Sequence, residues 1–186
     1  MSVVSAIEAE YRRYKALADS AIEQLGDAEL TRPGPGGGNS IDILIRHLAG
    51  NFASRFTDFR TSDGEKPWRH RDEEFEPALL TRRELLEKWE AAWRILFTEI
   101  GDLSDNALGD TVTVRGQPLK IDEALLRSLA HTAYHVGQIV YLAKAVRGDE
   151  WKCLSIPRGK SEEYNRSAPR EHAASHAAWL ASRTRE

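Results

Sequence analysis

Residues 129–144 read LAHTAYHVGQIVYLAK. Apolar side chains recur there every three or four residues, which predicts one face of an α-helix and not the alternation of a strand. The same pattern extends over about 121–147 and stops near Gly148, a residue suited to a helix end. At about 100° per residue, with His131 at zero, His135 falls near 40°, Gln138 near −20° and Arg127 near −40°. Leu125, Leu129, Val136, Ile139 and Val140 occupy roughly 80° to 180°. The two histidines therefore border the apolar face.

Three earlier stretches have the same character. Residues 3 to about 25 place Val4, Ile7, Tyr11, Ala18, Ile22 and Leu25 at helical spacing. TRPGPGGGNS (31–40) cannot continue that helix, and Asn39 or Ser40 can cap the next with a side-chain oxygen. A second helix is expected over about 40–60, its apolar face made by Ile41, Ile45, Leu48, Phe52, Phe56 and Phe59. TSDGEKPWRHRDEEFEP (61–77) reads as a polar, proline-bounded loop containing an exposed His70. Thr81, with Glu84 three residues on, has capping-box spacing and opens a third helix with Leu85, Trp89, Trp93 and Leu96 inward.

DTVTVRGQPLKI (110–121) alternates at Val112 and Val114 around an RGQP turn, which predicts a short hairpin. Residues 149–166 read as irregular, and a last helix is expected beyond SAPRE, with Pro169 in its first turn. Four amphipathic helices bury their faces most simply against one another. The expectation is an all-α chain: one domain over 1–186, a four-helix bundle with a hairpin before the fourth helix and an extra C-terminal helix.

Composition narrows the function. Hydrophobic residues at 41% and charged residues at 30% are globular values, and a net charge of −3 argues against a nucleic-acid partner. No apolar run approaches the roughly 20 residues of a membrane span, and MSVVSAIEAEYRRYKALA has no signal-peptide core. A single cysteine, Cys153, excludes an internal disulfide and fits a reducing, cytoplasmic setting. Cys153 reads as a small buried hydrophobe, because no histidine stands near it in sequence to activate it.

On the second helix, Asn51, Ser54 and Asp58 fall within about 40° of His47, beside the apolar stripe. Packing that stripe on the stripe of residues 121–147 brings His47 toward His131 and His135. Three neutral imidazoles suit a divalent transition ion and leave coordination positions free. Without an HExxH glutamate, the spacing alone equally admits histidines that merely edge a core. Asn51, Asp58, Arg127 and Gln138 share the histidine stripes and can orient an imidazole or touch a ligand.

Other motifs point less sharply. Gly159-Lys160-Ser161 lacks the earlier glycine of a phosphate loop, since Leu154 stands there, but Arg158 and Lys160 can attract an anion. His172 and His176 form a second i, i+4 pair with no third ligand and read as surface or interface residues.

IRHLAGNF (45–52), the glycine-proline turn before the fourth helix, LAHTAYHVGQIVYL (129–142) and GDEWKCLSIPRGKSEEYN (148–165) follow in an order that resembles the DinB/YfiT-like superfamily. The resemblance spans residues 5 to 165 or so. It implies a homodimeric four-helix bundle whose metal, Zn or Ni, is held by His47, His131 and His135. It further implies a metal-dependent hydrolase or a thiol transferase, joining a low-molecular-weight thiol (bacillithiol, mycothiol or glutathione) to a small electrophile. The alternative it leaves is a non-catalytic, stress-associated metal- or ligand-binding protein. No residue is assigned as catalytic.

Overall fold

In a computed structural model, which describes residues 2–167, four long helices form the bundle: α1 (Val3–Ile22), α3 (Ile41–Phe56), α4 (Arg82–Gly101) and α5 (Ile121–Arg147). A single turn, α2 (Asp27–Leu30), follows α1, and a seven-residue helix, α6 (Ser161–Ser167), closes the described chain. Strands β1 (Thr111–Val114) and β2 (Gln117–Lys120) pair antiparallel ahead of α5. No helix among the described residues is long and apolar enough to cross a membrane.

The expected faces meet in one core. Tyr11, Phe52, Trp89 and Trp93 are fully or almost fully buried, with the Phe52 and Trp93 rings 4.7 Å apart and Trp89 5.3 Å from Trp93. Ile41, Ile45, Leu48, Phe52, Phe56 and Phe59 are all buried. The Tyr11 hydroxyl donates to Leu125 O at 3.0 Å, so a buried polar group joins α1 to α5 without going unpaired.

Helix directions follow from end-to-end contacts. Arg82 donates to Ile22 O and Leu25 O, while the Val3 and Val4 amides donate to Asp105, so α1 and α4 run antiparallel. The Lys152 amide, just past α5, donates to Gln24 just past α1, so these two helices end together. Ser54 near the end of α3 donates to Gly64 O, and the Gly64 amide donates to Thr113 O of the hairpin that precedes α5. Helix α3 therefore runs opposite to α5 and parallel to α4. A parallel pair needs a connection that travels back along the bundle, and residues 57–81 are that connection.

Local signals account for most boundaries. Thr81 and Glu84 cap α4 reciprocally, and α5 stops at Gly148, whose φ of 54° no β-carbon opposes. Ser40 occupies the N-cap of α3, but its hydroxyl donates to the Asp42 carboxylate instead of accepting a backbone N–H, the charged acceptor in the first turn being the stronger partner. The chain leaves α3 at Phe56, before the expected end near 60, because Thr57 is extended and Asp58 turns at φ 50°. Helix α6 lies within the stretch read as irregular. It is too short to show a period, and a Lys160–Glu163 pair closes its first turn. Cys153 is exposed, contrary to the buried position expected. The helix expected around Pro169, and with it His172 and His176, falls outside the described residues.

Candidate metal centre

His47 sits in α3 and His131 and His135 lie one turn apart in α5, on facing edges of the two apolar stripes. His131 Nε2 is 3.2 Å from His47 Nε2 and 3.1 Å from His135 Nε2. The three ligand nitrogens all lie within 4.8 Å of one another. An ion with metal–nitrogen bonds of about 2.1 Å, in tetrahedral or octahedral geometry, separates adjacent ligand nitrogens by about 3.0–3.4 Å. Two sides of the triangle already have that length.

The other ring nitrogens decide which way the lone pairs face. His47 Nδ1 is 2.9 Å from Glu74 Oε2, and His135 Nδ1 is 2.8 Å from Gln138 Oε1. A carboxylate or an amide oxygen only accepts, so each neutral imidazole carries its proton on Nδ1 and keeps Nε2 bare. Both bare nitrogens face His131. A divalent ion among the three Nε2 atoms would accept these lone pairs together with that of His131, and the donor set fits such an ion.

Glu74 reaches His47 because the 57–81 connection is fastened to α3. Arg46, buried beside His47, donates to Glu73 O and Glu76 O at 3.1 and 2.7 Å. These bonds hold the 3-10 turn Arg71–Phe75, which lays Phe75 against the His47 ring at 4.9 Å. Arg69, its side chain only 3% exposed, binds both Glu74 oxygens at 2.8 and 2.9 Å. Burial alone would raise the Glu74 pKa, but the hydrogen bonds from His47 and Arg69 outweigh it and hold the carboxyl below its ordinary value. Burial first, and then the neighbouring His135 and His47, push His131 down to about 4. Burial also lowers His135, against an opposing hydrogen bond to Gln138. Such imidazoles are neutral at pH 7, the form that ligates.

A cavity of about 250 Å³ opens beside His47 and His131. Asn51 and Arg127 line it, and Gln138 orients His135, so these three sequence candidates surround the histidines. Arg158 and Lys160 do not: both are exposed outside this lining, and Lys160 pairs with Glu163 at 2.7 Å. Asp58 takes part in the turn after α3 and is also absent from the lining. The charges at the cavity come instead from Arg55, Arg69, Arg71, Arg115 and Arg127. Sequence reasoning did not identify Arg69 or Glu74. Its one available clue was Gly50, a glycine inside a helical pattern, which signals close approach of another group.

The fold and this cluster define a class: a four-helix bundle with three histidines near enough to hold a metal ion between its second and fourth long helices. The chain belongs to the family described as "Protein of unknown function (DUF1572)", whose model matches residues 1–160. No curated protein and no solved structure matches it significantly.

Proposed function

We propose that this chain is a cytoplasmic, DinB-like metalloenzyme that joins a small thiol to an electrophile at His47, His131 and His135. The observation that carries the reading is the convergence of three Nε2 atoms beside a cavity lined by His47 and His131, two of the three held with their lone pairs inward. Zn or Ni bound there would supply Lewis acidity, lowering the pKa of a coordinated thiol or water. The chain's own part is to fix two of the imidazoles through Glu74 and Gln138, to keep His131 and His135 neutral by burial, and to shield one side with Phe75.

Thiol transfer is favoured over hydrolysis by what the cavity lacks. Among the described residues, no carboxylate lines it. A free thiol ionises near pH 8.5, whereas water, at about 15.7, needs far more help from a base. The same absence of a base favours, as second reading, a non-catalytic ligand-binding protein on the same site. A homodimer belongs to the first reading: exposed Leu126, Tyr134 and Tyr141 fall within about 80° on α5 and offer a continuous apolar strip.

Metal-loaded protein, incubated with bacillithiol, mycothiol or glutathione and a chlorinated or epoxide electrophile, tests the choice. Thiol consumption that disappears in His131→Ala supports the enzyme. Full metal loading with no turnover for any thiol would leave the binding reading.

A further inference from the structure

Five guanidinium groups meet at the cavity beside the histidines, and they come from four separate parts of the chain. Arg55 is in α3, Arg69 and Arg71 in the long connection, Arg115 in the hairpin turn and Arg127 in α5. Like charges repel at this range, so gathering them needs compensation. Three carboxylates supply part of it. Glu74 takes Arg69; Glu65 takes Arg55 at 3.0 Å and Arg115 at 2.8 Å; Asp63 accepts the backbone amides of Arg115 and Gly116.

Two charges are left over. Arg127 has no hydrogen bond or ion pair among the described residues. Arg71 lies over the Phe75 ring at 4.9 Å, and its one ion pair among the described residues is with Asp72 at 3.5 Å, a side chain fully exposed to solvent and therefore heavily screened. The surplus faces a low-dielectric wall made by Phe56, Phe59, Val114 and Leu119.

The hairpin adds a second, independent sign. Its two-residue turn has Arg115 at φ 54° and Gly116 at φ 71°, both in the left-handed region. Asn-Gly suits such a turn, and a long side chain at its first position is disfavoured there. The arginine placed at that position points its guanidinium to Glu65 and the cavity rim.

We propose that this cavity is the subsite for a small organic dianion, a compound with two oxyanion charges and a short apolar body, bound directly by Arg127 and Arg71. Arginine forks match planar carboxylate and tetrahedral phosphate alike, so the shared chemistry is the pair of oxyanion charges. A volume of about 250 Å³ suits a body smaller than a drug-sized ligand. This inference rests on the thiol-transfer reading only for the role of the ligand, which would be the electrophilic substrate; binding itself needs no metal.

Calorimetric titration of the full chain, once with chelator and once with Zn, tests it with four probes: succinate, inorganic phosphate, propionate and the neutral succinamide. Succinate or phosphate should bind saturably, with affinity that falls as salt rises, and propionate and succinamide should bind at least tenfold more weakly. Preference for succinate assigns a dicarboxylate, and preference for phosphate a phosphate monoester. Arg127→Gln and Arg71→Gln, both at exposed positions, should each weaken the preferred dianion about ten- to a hundredfold with an unchanged melting temperature and unchanged Zn content. Equal binding of succinate and succinamide, no binding of either dianion, or unaltered affinity in both variants overturns the proposal. The metal reading fails separately, when Zn content does not depend on His131 while succinate still binds.

Discussion

Glu74 occupies the space that a β-carbon on Gly50 would fill: built there, that carbon would meet the Glu74 carboxyl carbon at 2.8 Å. Gly50 lies in α3 one turn after His47, so the missing side chain is what lets the carboxylate reach the imidazole. Gly50→Ala would raise intrinsic helix propensity by roughly 1 kcal/mol. It should nonetheless lower metal affinity, by about 10- to 100-fold, because the displaced Glu74 no longer orients His47. Glu74→Ala should have a similar effect, and competitive chelator titration of both variants checks the pair. Wild-type affinity in Gly50→Ala would show that Glu74 does not support the site.

Gln138 acts on the opposite imidazole. Gln138→Leu removes the acceptor at 2.8 Å from His135 Nδ1 and frees the ring to change tautomer. Metal affinity should fall by about tenfold while the fold is kept, since Gln138 is only partly buried. Titration of Zn against a competing dye reads the change.

Acid should weaken the metal-free protein in a defined window. His131 is depressed from 6.5 to about 4 in the folded chain. Between those values the unfolded chain binds the extra proton, so stability is full above about pH 6.5, falls as pH drops toward 4, and levels off below. His135, also depressed, adds to the same slope. Between pH 7 and 4 the melting temperature of chelator-treated wild type should fall more steeply than that of His131→Gln. Parallel curves would contradict the assigned depression.

The core makes a separate prediction. Trp93 is 1% exposed and touches Tyr11, Phe52, Trp89 and Phe97 with its ring. Trp93→Ala should cost about 3–5 kcal/mol, measured by urea denaturation.

How much the sequence discloses depends on whether a contact is periodic. The helix over 121–147 is readable to the residue, because an apolar stripe and Gly148 both mark it. The meeting of His47 with His131 and His135 is readable too, since each borders a stripe that must be buried. Glu74 and Arg69 follow no such rule. They arrive on a connection that reads as an ordinary polar loop, and only the parallel course of α3 and α4 forces it back along the bundle. The arginine cavity is hidden for the same reason: its charges lie up to 72 positions apart, from Arg55 to Arg127. Arg158 and Lys160 follow the C-terminal end of α5, which lies about three turns beyond His135, and they do not line the cavity.

The central claim is that three imidazoles hold an ion, and metal content tests it most directly. Protein purified without a metal-affinity tag, loaded with Zn or Ni and desalted, should carry one ion per chain by elemental analysis. His47→Ala, His131→Ala and His135→Ala should each carry almost none while keeping the helical circular-dichroism spectrum. Equal metal content in wild type and all three variants, whether high or negligible, would contradict the account.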